Sequence, residues 1–237
     1  MSRLVEVSHR VEPGMVTYKG LPGPVVSDFL SRESSRANYA DGTTFAIGRV
    51  EMVANTGTYV DAPFHRFAEG KDVGSLPLEK LADLEGVVVD ATRAGRAVGW
   101  DIFDGADLGG RAVLVHTGWS RHWRTPAYFE GHPYLTRDAA QRLVAARPAL
   151  VGIDSLNIDD TGDGARSAHT LLLEAEIPIV EHLTNLEALP PRGFRFHCAP
   201  APFHGLGSFP VRAYAVLEWG QASTWLDSGR PNRPVET

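Results

Sequence analysis

The period of hydrophobic and polar positions changes several times along this chain, and each change marks an element. Alternation through Leu4, Val5 and Val7 predicts an opening strand over residues 3–9, broken by Glu12-Pro13-Gly14. Residues 19–42 mix Gly, Pro, Ser and charge with neither period, which predicts irregular structure or a flap over a site. Residues 43–53 read as a strand running into the stretch 51–67, and 76–81 as a short turn element. Compact apolar runs at 86–91, 112–117 and 150–154 read as strands buried on both faces, the last ending on Asp154. Between them Thr136 caps a run with Ala139, Ala140, Leu143 and Val144 at helical spacing, stopped by Pro148. A second helix is predicted over 165–175, followed by strands at 177–183, 195–201 and 210–217. Alternating helices and strands of this kind predict an α/β fold.

The stretch 51–67 is the one around which the chain is organised. If it is extended, Asn55, Gly57, Tyr59, Asp61, Pro63 and His65 project from one face, and Val60, Ala62 and Phe64 from the other. One face is then apolar and packs on a core, while the other carries a carboxylate and an imidazole four residues apart. Metal or proton chemistry is available to such a pair, given partners from elsewhere. In the 177–183 strand Glu181 and His182 point to opposite faces, and a carboxylate inside a Val/Ile/Leu run needs an Arg or a metal as partner.

Composition narrows the function classes. At 237 residues, with 43% hydrophobic and 22% charged residues, the chain reads as one ordinary globular domain over 1–237, with 220–237 a peripheral tail. A net charge of −6 argues against a nucleic-acid or anionic-membrane surface, so a small-molecule substrate or a protein partner is expected. Cys198 is the single cysteine, which excludes an intrachain disulfide and a cysteine-based zinc cluster; any metal must use His, Asp and Glu. With no signal-like or membrane-spanning apolar run, a cytoplasmic protein is expected. Trp119, Trp123, Tyr128 and Phe129 cluster around a polar segment and read first as packing, with pocket lining or a subunit contact as their other use.

Nothing in the spacing of Asp61, His65, His169 and Glu181 shows that they meet. The ordered motifs carry more. Asn55-Thr-Gly-Thr-Tyr59-Val-Asp61-Ala-Pro63-Phe-His65, the flanking Gly74 to Leu78, the Gly152-Ile-Asp154 strand, the His169 and Glu181 pair, and Ser208-Phe-Pro-Val-Arg-Ala213 together resemble the cyclase family of metal-dependent hydrolases. That family includes bacterial kynurenine formamidases and isatin hydrolases, and its signature is His-x-Gly-Thr-His-x-Asp-x-Pro-x-His.

The resemblance implies a single α/β domain with a mixed, barrel-like β centre and peripheral helices, assembled as a homo-oligomer, a dimer by default. It also implies a catalytic role for His65 and metal ligation by Asp61, His169 and Glu181. Two signature histidines that hold a further ion are replaced here by Asn55 and Tyr59, a poor ligand and a phenol of pKa about 10. One divalent ion, Zn²⁺ or Mn²⁺, is therefore expected at the retained set, with Asn55 and Tyr59 hydrogen-bonding the substrate. Two other outcomes stay open: a second ion held through a Tyr59 phenolate, or a metal-free member that binds a ligand without turnover. The implied substrates are small amides, lactams, formamides or lactones.

Overall fold

The computed structural model describes residues 2–218, so the tail expected at 220–237 lies outside the described residues. In chain order the strands are β1 (Ser2–Glu6), β2 (Val25–Leu30), β3 (Ile47–Glu51), β4 (Tyr59–Asp61), β5 (Leu84–Asp90), β6 (Ala97–Val98), β7 (Ala112–His116), β8 (Tyr134–Leu135), β9 (Leu150–Ile153), β10 (Ile179–Glu181), β11 (Phe194–His197), β12 (Ser208–Pro210) and β13 (Tyr214–Glu218). The α-helices are α1 (Arg32–Ser35), α2 (Arg137–Ala146) and α3 (Ser167–Glu174).

Nine strands form one curled sheet in the order β1-β13-β11-β5-β7-β9-β10-β4-β12. The central β5, β7, β9 and β10 are parallel, and every other pairing in this sheet is antiparallel. Parallel neighbours require crossovers, and α2 and α3 lie in two of them. Each central strand is buried on both faces, as its continuous apolar run predicts. Leu114, Leu150 and Val180 enter an inner core with Phe194, Phe196, Ala213 and Ala215 of the antiparallel half. Val113, Val115, Val151, Ile153 and Ile179 face an outer core with Leu143 of α2 and Ala168 and Leu172 of α3. Thr136 caps α2 by accepting the Ala139 N–H at 3.2 Å, and Arg147, in the left-handed region at φ 54°, ends it one residue before Pro148.

Three expectations are corrected. The segment 19–42 is not irregular throughout, since it holds β2 and α1, and β2 pairs with β3 in a separate two-stranded ribbon. The strand expected over 43–53 does not run on into the site: β3 ends at Glu51, and the chain turns through Gly57 at φ 68° before β4 begins. Alternation therefore holds only over 59–61. Pro63 then opens a 3₁₀ turn, Pro63–His65, which leaves Phe64 36% exposed rather than in the core. Proline fits the first position of such a turn because its missing N–H would have no partner there.

Leu172 is fully buried in the outer core and docks α3 against the sheet. Leu172→Ala is expected to destabilise the protein by about 2–5 kcal/mol, read as a lower urea midpoint with an unchanged slope.

Candidate active site

The register of β4 sets the site. Tyr59 lies opposite Glu181 on one side and Pro210 on the other, and Asp61 lies opposite Ile179 and Ser208. Residues directly opposite share a face, so Tyr59, Asp61, Glu181 and Ser208 all project toward the side on which α3 packs, while Val60 and Val180 enter the inner core. Asp61 and Glu181 are fully buried.

The Pro63–His65 turn is pressed against β12. The Gly207 carbonyl accepts the Ala62 N–H at 2.7 Å, and a Cβ on Gly207 would stand 2.5 Å from His65 Cα. Only glycine allows that approach. His65 Nδ1 then lies 2.9 Å from Ser208 Oγ, which in turn hydrogen-bonds Asp61 Oδ1 and sits 3.3 Å from Asn55 Nδ2. The carboxylate can only accept, so the serine proton goes to Asp61, and the serine oxygen accepts from the Asn55 amide and from His65 Nδ1–H. This network assigns neutral His65 the Nδ1–H tautomer and leaves Nε2 as the basic nitrogen.

On the other side of Asp61, His169 enters from the first turn of α3. Asp159 fixes it, accepting His169 Nδ1–H at 2.7 Å and the backbone N–H groups of Ala168 at 2.6 Å and His169 at 3.0 Å. One carboxylate thereby caps the helix and sets the imidazole tautomer, leaving Nε2 directed at the acids. Burial opposes the charge of Asp159, but its bonds from His169 outweigh burial and hold the carboxyl below its usual range. His169 Nε2 stands 3.6 Å from Asp61 Oδ2 and 3.7 Å from Glu181 Oε1.

Among the described residues Glu181 has no arginine partner. Its carboxylate accepts from Tyr59 Oη at 2.6 Å, Asn157 Nδ2 at 3.3 Å and the Ile158 N–H at 2.7 Å. Burial, aided by Asp61 and opposed by His169, raises its pKa to about 7. For His169, burial works toward the neutral form, but Glu181, Asp159 and Asp61 together outweigh it and raise the pKa to about 10. Burial, then Glu181 and Asp61, push Tyr59 well above 10, so it stands as a phenol whose proton goes to Glu181.

The donor set fits a small divalent cation. Asp61 Oδ2 is buried without a hydrogen-bond partner among the described residues, an arrangement that normally demands one. Two ligands about 2.1 Å from a tetrahedral ion lie about 3.4 Å apart, close to the separations around His169 Nε2. One ligand atom from each of Asp61, His65 and His169 also falls within 4.8 Å of the others. A cavity of about 380 Å³ opens onto the group, with Tyr59, His169 and Glu181 at its buried end and Leu21, Arg66 and Arg166 toward its rim.

The expected metal ligands Asp61, His169 and Glu181 and the expected catalytic His65 thus lie together, and Asn55 and Tyr59 line the adjoining cavity. Ser208 and Asp159 carry no motif of their own and escaped the sequence reading. Ser208 stood inside a recognised segment without a role, and Asp159 inside a polar turn, ten residues before the helix position it serves. Asp154 is elsewhere: its buried carboxylate accepts from Thr117 N, Thr117 Oγ1 and Gly118 N, holding the turn after β7. The aromatic cluster packs, with Trp123 stacked on His9 and Tyr128 Oη 2.8 Å from His182 Nδ1.

A family model named Cyclase, described as "Putative cyclase", matches residues 5–160. The chain belongs to the Cyclase family. It is 28% identical over 215 residues to a kynurenine formamidase of Geobacillus thermodenitrificans, covering 90% of this chain and 97% of that protein. A solved structure described as a potential metal-dependent hydrolase with cyclase activity superposes at TM-score 0.76 and 24% identity, over 92% of this chain and 99% of that one. An isatin hydrolase bound to the product analogue thioisatinate does so at 0.76 and 21%, over 91% and 92%. The mixed fold expected for this Cyclase member is therefore present.

Because Gly207 abuts the backbone of His65, Gly207→Ala is expected to displace the His65 turn and cost about 1–3 kcal/mol. A shifted His65 imidazole resonance together with a lower urea midpoint would register both effects; an unmoved resonance would refute the packing argument.

Proposed function

We propose that this chain is a cytoplasmic, metal-dependent hydrolase that opens the C–N bond of a small amide, formamide or lactam, or the ester bond of a lactone. The unpartnered, buried Asp61 Oδ2 facing His169 Nε2 carries this reading. Relatives named kynurenine formamidase and isatin hydrolase support an amide-type substrate. Asp61, His169 and Glu181 would hold one divalent ion, Zn²⁺ or Mn²⁺. Such an ion, when bound, polarises a carbonyl and makes water a better nucleophile near neutral pH.

The residues supply the remainder. His65, oriented by Ser208, takes a proton at Nε2 from the attacking water and returns it to the leaving nitrogen or oxygen. Asp159 keeps His169 in the ligating tautomer and Asn157 steadies Glu181. Asn55 and Tyr59 stand where the family signature has two further histidines. Their protons are engaged by Ser208 and Glu181, which speaks for one ion rather than two. From there they wall the cavity and position the substrate by shape rather than by donating to its carbonyl.

Elemental analysis of protein purified without chelator is expected to give about one Zn or Mn per chain, lost in Asp61→Ala and His169→Ala and weakened roughly 10–100-fold in Asp159→Ala. His65→Gln should retain the metal while kcat falls about 10²–10⁴-fold. No metal, with no turnover restored by adding it, would replace this reading with that of a ligand-binding protein. Two ions per chain would overturn the role given to Tyr59.

The proposal extends to a homodimer. The β2 and β3 ribbon exposes Val26, Phe29, Ile47 and Val50, each at least half accessible. A lone two-stranded ribbon is marginal in water, and an apolar patch of this kind marks a contact surface. Light scattering is expected to show a dimer that Phe29→Glu with Val50→Glu converts to monomer; a monomeric unsubstituted protein would refute it.

A further inference from the structure

We propose that Asp72, which lies outside the cavity, is a positioning residue for His65: through the 204–208 segment it fixes Ser208, and thereby the ring nitrogen on which His65 carries its proton. This deepens the hydrolase reading and rests on it for the use made of His65 Nε2. Among the described residues the buried carboxylates are Asp61, Asp72, Asp154, Asp159 and Glu181. Three of them belong to the candidate site, and Asp154 holds the turn after β7. Asp72 is the one left without a task.

Both Asp72 oxygens are engaged. Oδ1 accepts the Ser75 N–H at 2.9 Å and the Ser75 hydroxyl at 2.6 Å, which closes a local turn. Oδ2 reaches across 133 residues to accept the Gly205 N–H at 2.7 Å, and His204 Nδ1 lies 2.8 Å from it. These bonds, that from Gly205 first and the Ser75 hydroxyl next, hold the carboxyl down to about 2. Asp72 therefore remains an acceptor throughout the neutral range.

Segment 70–75 braces His65 from two sides. Toward the histidine, the Lys71 carbonyl accepts the Phe64 N–H at 2.9 Å, and a Cβ on Gly70 would stand 2.7 Å from the Pro63 carbonyl carbon. Toward the serine, the Leu206 carbonyl accepts the Val73 N–H at 2.9 Å, and a Cβ on Gly74 would stand 2.9 Å from the Phe203 carbonyl oxygen. His65 and Ser208 thus meet with both of their chain segments tied to one short stretch. Residues 198–207 form neither helix nor strand, so their place depends on such ties. Among the described residues Asp72 is the only side chain of 70–75 that hydrogen-bonds 203–208. The margin at the histidine is small: His65 Nδ1 is 2.9 Å from Ser208 Oγ and 3.8 Å from Asp61 Oδ1. A displacement of Ser208 by about 1 Å would break the bond that selects the tautomer.

The test reads the His65 tautomer in two-bond 1H–15N correlation spectra of the full chain, with its signals identified by their loss in His65→Gln. The unsubstituted protein should carry the proton on Nδ1. Asp72→Ala should show both tautomers, with the metal content unchanged, kcat lowered about 10–100-fold and KM unaltered. Asp72→Asn keeps an oxygen for the Gly205 N–H and should restore the Nδ1–H signal and most of kcat. Asp72→Ser, whose hydroxyl closes the local turn but is one atom too short for Gly205, carries the same expectation as Asp72→Ala if that variant does not fold. Val87→Ala, in the outer core on β5, controls for lost stability: it should lower the urea midpoint and leave the His65 signals in place. His65 signals unmoved in Asp72→Ala and Asp72→Ser, or redistributed equally in Val87→Ala, would overturn the role and leave the hydrolase reading standing. Tautomers redistributed by Asp72→Ala in a protein that turns over neither formanilide nor the lactone phthalide would support the role and remove the hydrolase reading.

Discussion

Two carboxylates on neighbouring strands are buried together around one imidazole. An ion taken out of water costs several kcal/mol unless its lone pairs are met, so Asp61 and Glu181 dictate much of what surrounds them. Tyr59, Asn157 and the Ile158 N–H answer Glu181, and Ser208 answers one oxygen of Asp61. His169 faces both, and Asp159 stands behind it as a third acid. Asp61 Oδ2 has no hydrogen-bond partner among the described residues and only the His169 imidazole at 3.6 Å, a place for positive charge that a cation suits.

The two halves of the sheet contribute differently. Parallel strands β9 and β10, with α3 in the crossover between them, bring His169 and Glu181 to fixed places against a packed outer core. Antiparallel β12 brings Ser208 back beside Asp61, and the glycine before it lets the His65 turn settle against the strand. The two acids are thus held by strand register and His169 by helix docking, while His65 sits in a turn pinned against β12, which favours reproducible geometry at the reacting atoms.

Much of this was legible in the sequence, and the rest was lost for identifiable reasons. The runs at 86–91, 112–117 and 150–154 announced buried parallel strands because burial on both faces removes any need for polar alternation. Thr136 announced α2 by its capping chemistry. The family motifs pointed to Asp61, His65, His169 and Glu181. Period alone failed at residues 43–65, where Gly57 and Pro63 interrupt an apparently continuous strand. It also failed at 19–42, where β2 is exposed along nearly all its length and its apolar residues Val25, Val26, Phe29 and Leu30 do not alternate. Ser208 and Asp159 were invisible because their work depends on partners 147 and 10 residues away. No local pattern encodes such a contact.

The placing of β4 between β10 and β12 has a consequence for the order in which the protein can be made. Tyr59 meets Glu181 across 122 residues and Asp61 meets Ser208 across 147. A ribosome therefore releases β4, with Asp61, long before the chain that completes it exists. Until residue 208 emerges, β4 lacks its outer neighbour and Asp61 must stay hydrated. Loop closure over such spans is slow, so the site is among the last parts of the molecule to form and charge burial becomes a late, committing step of folding.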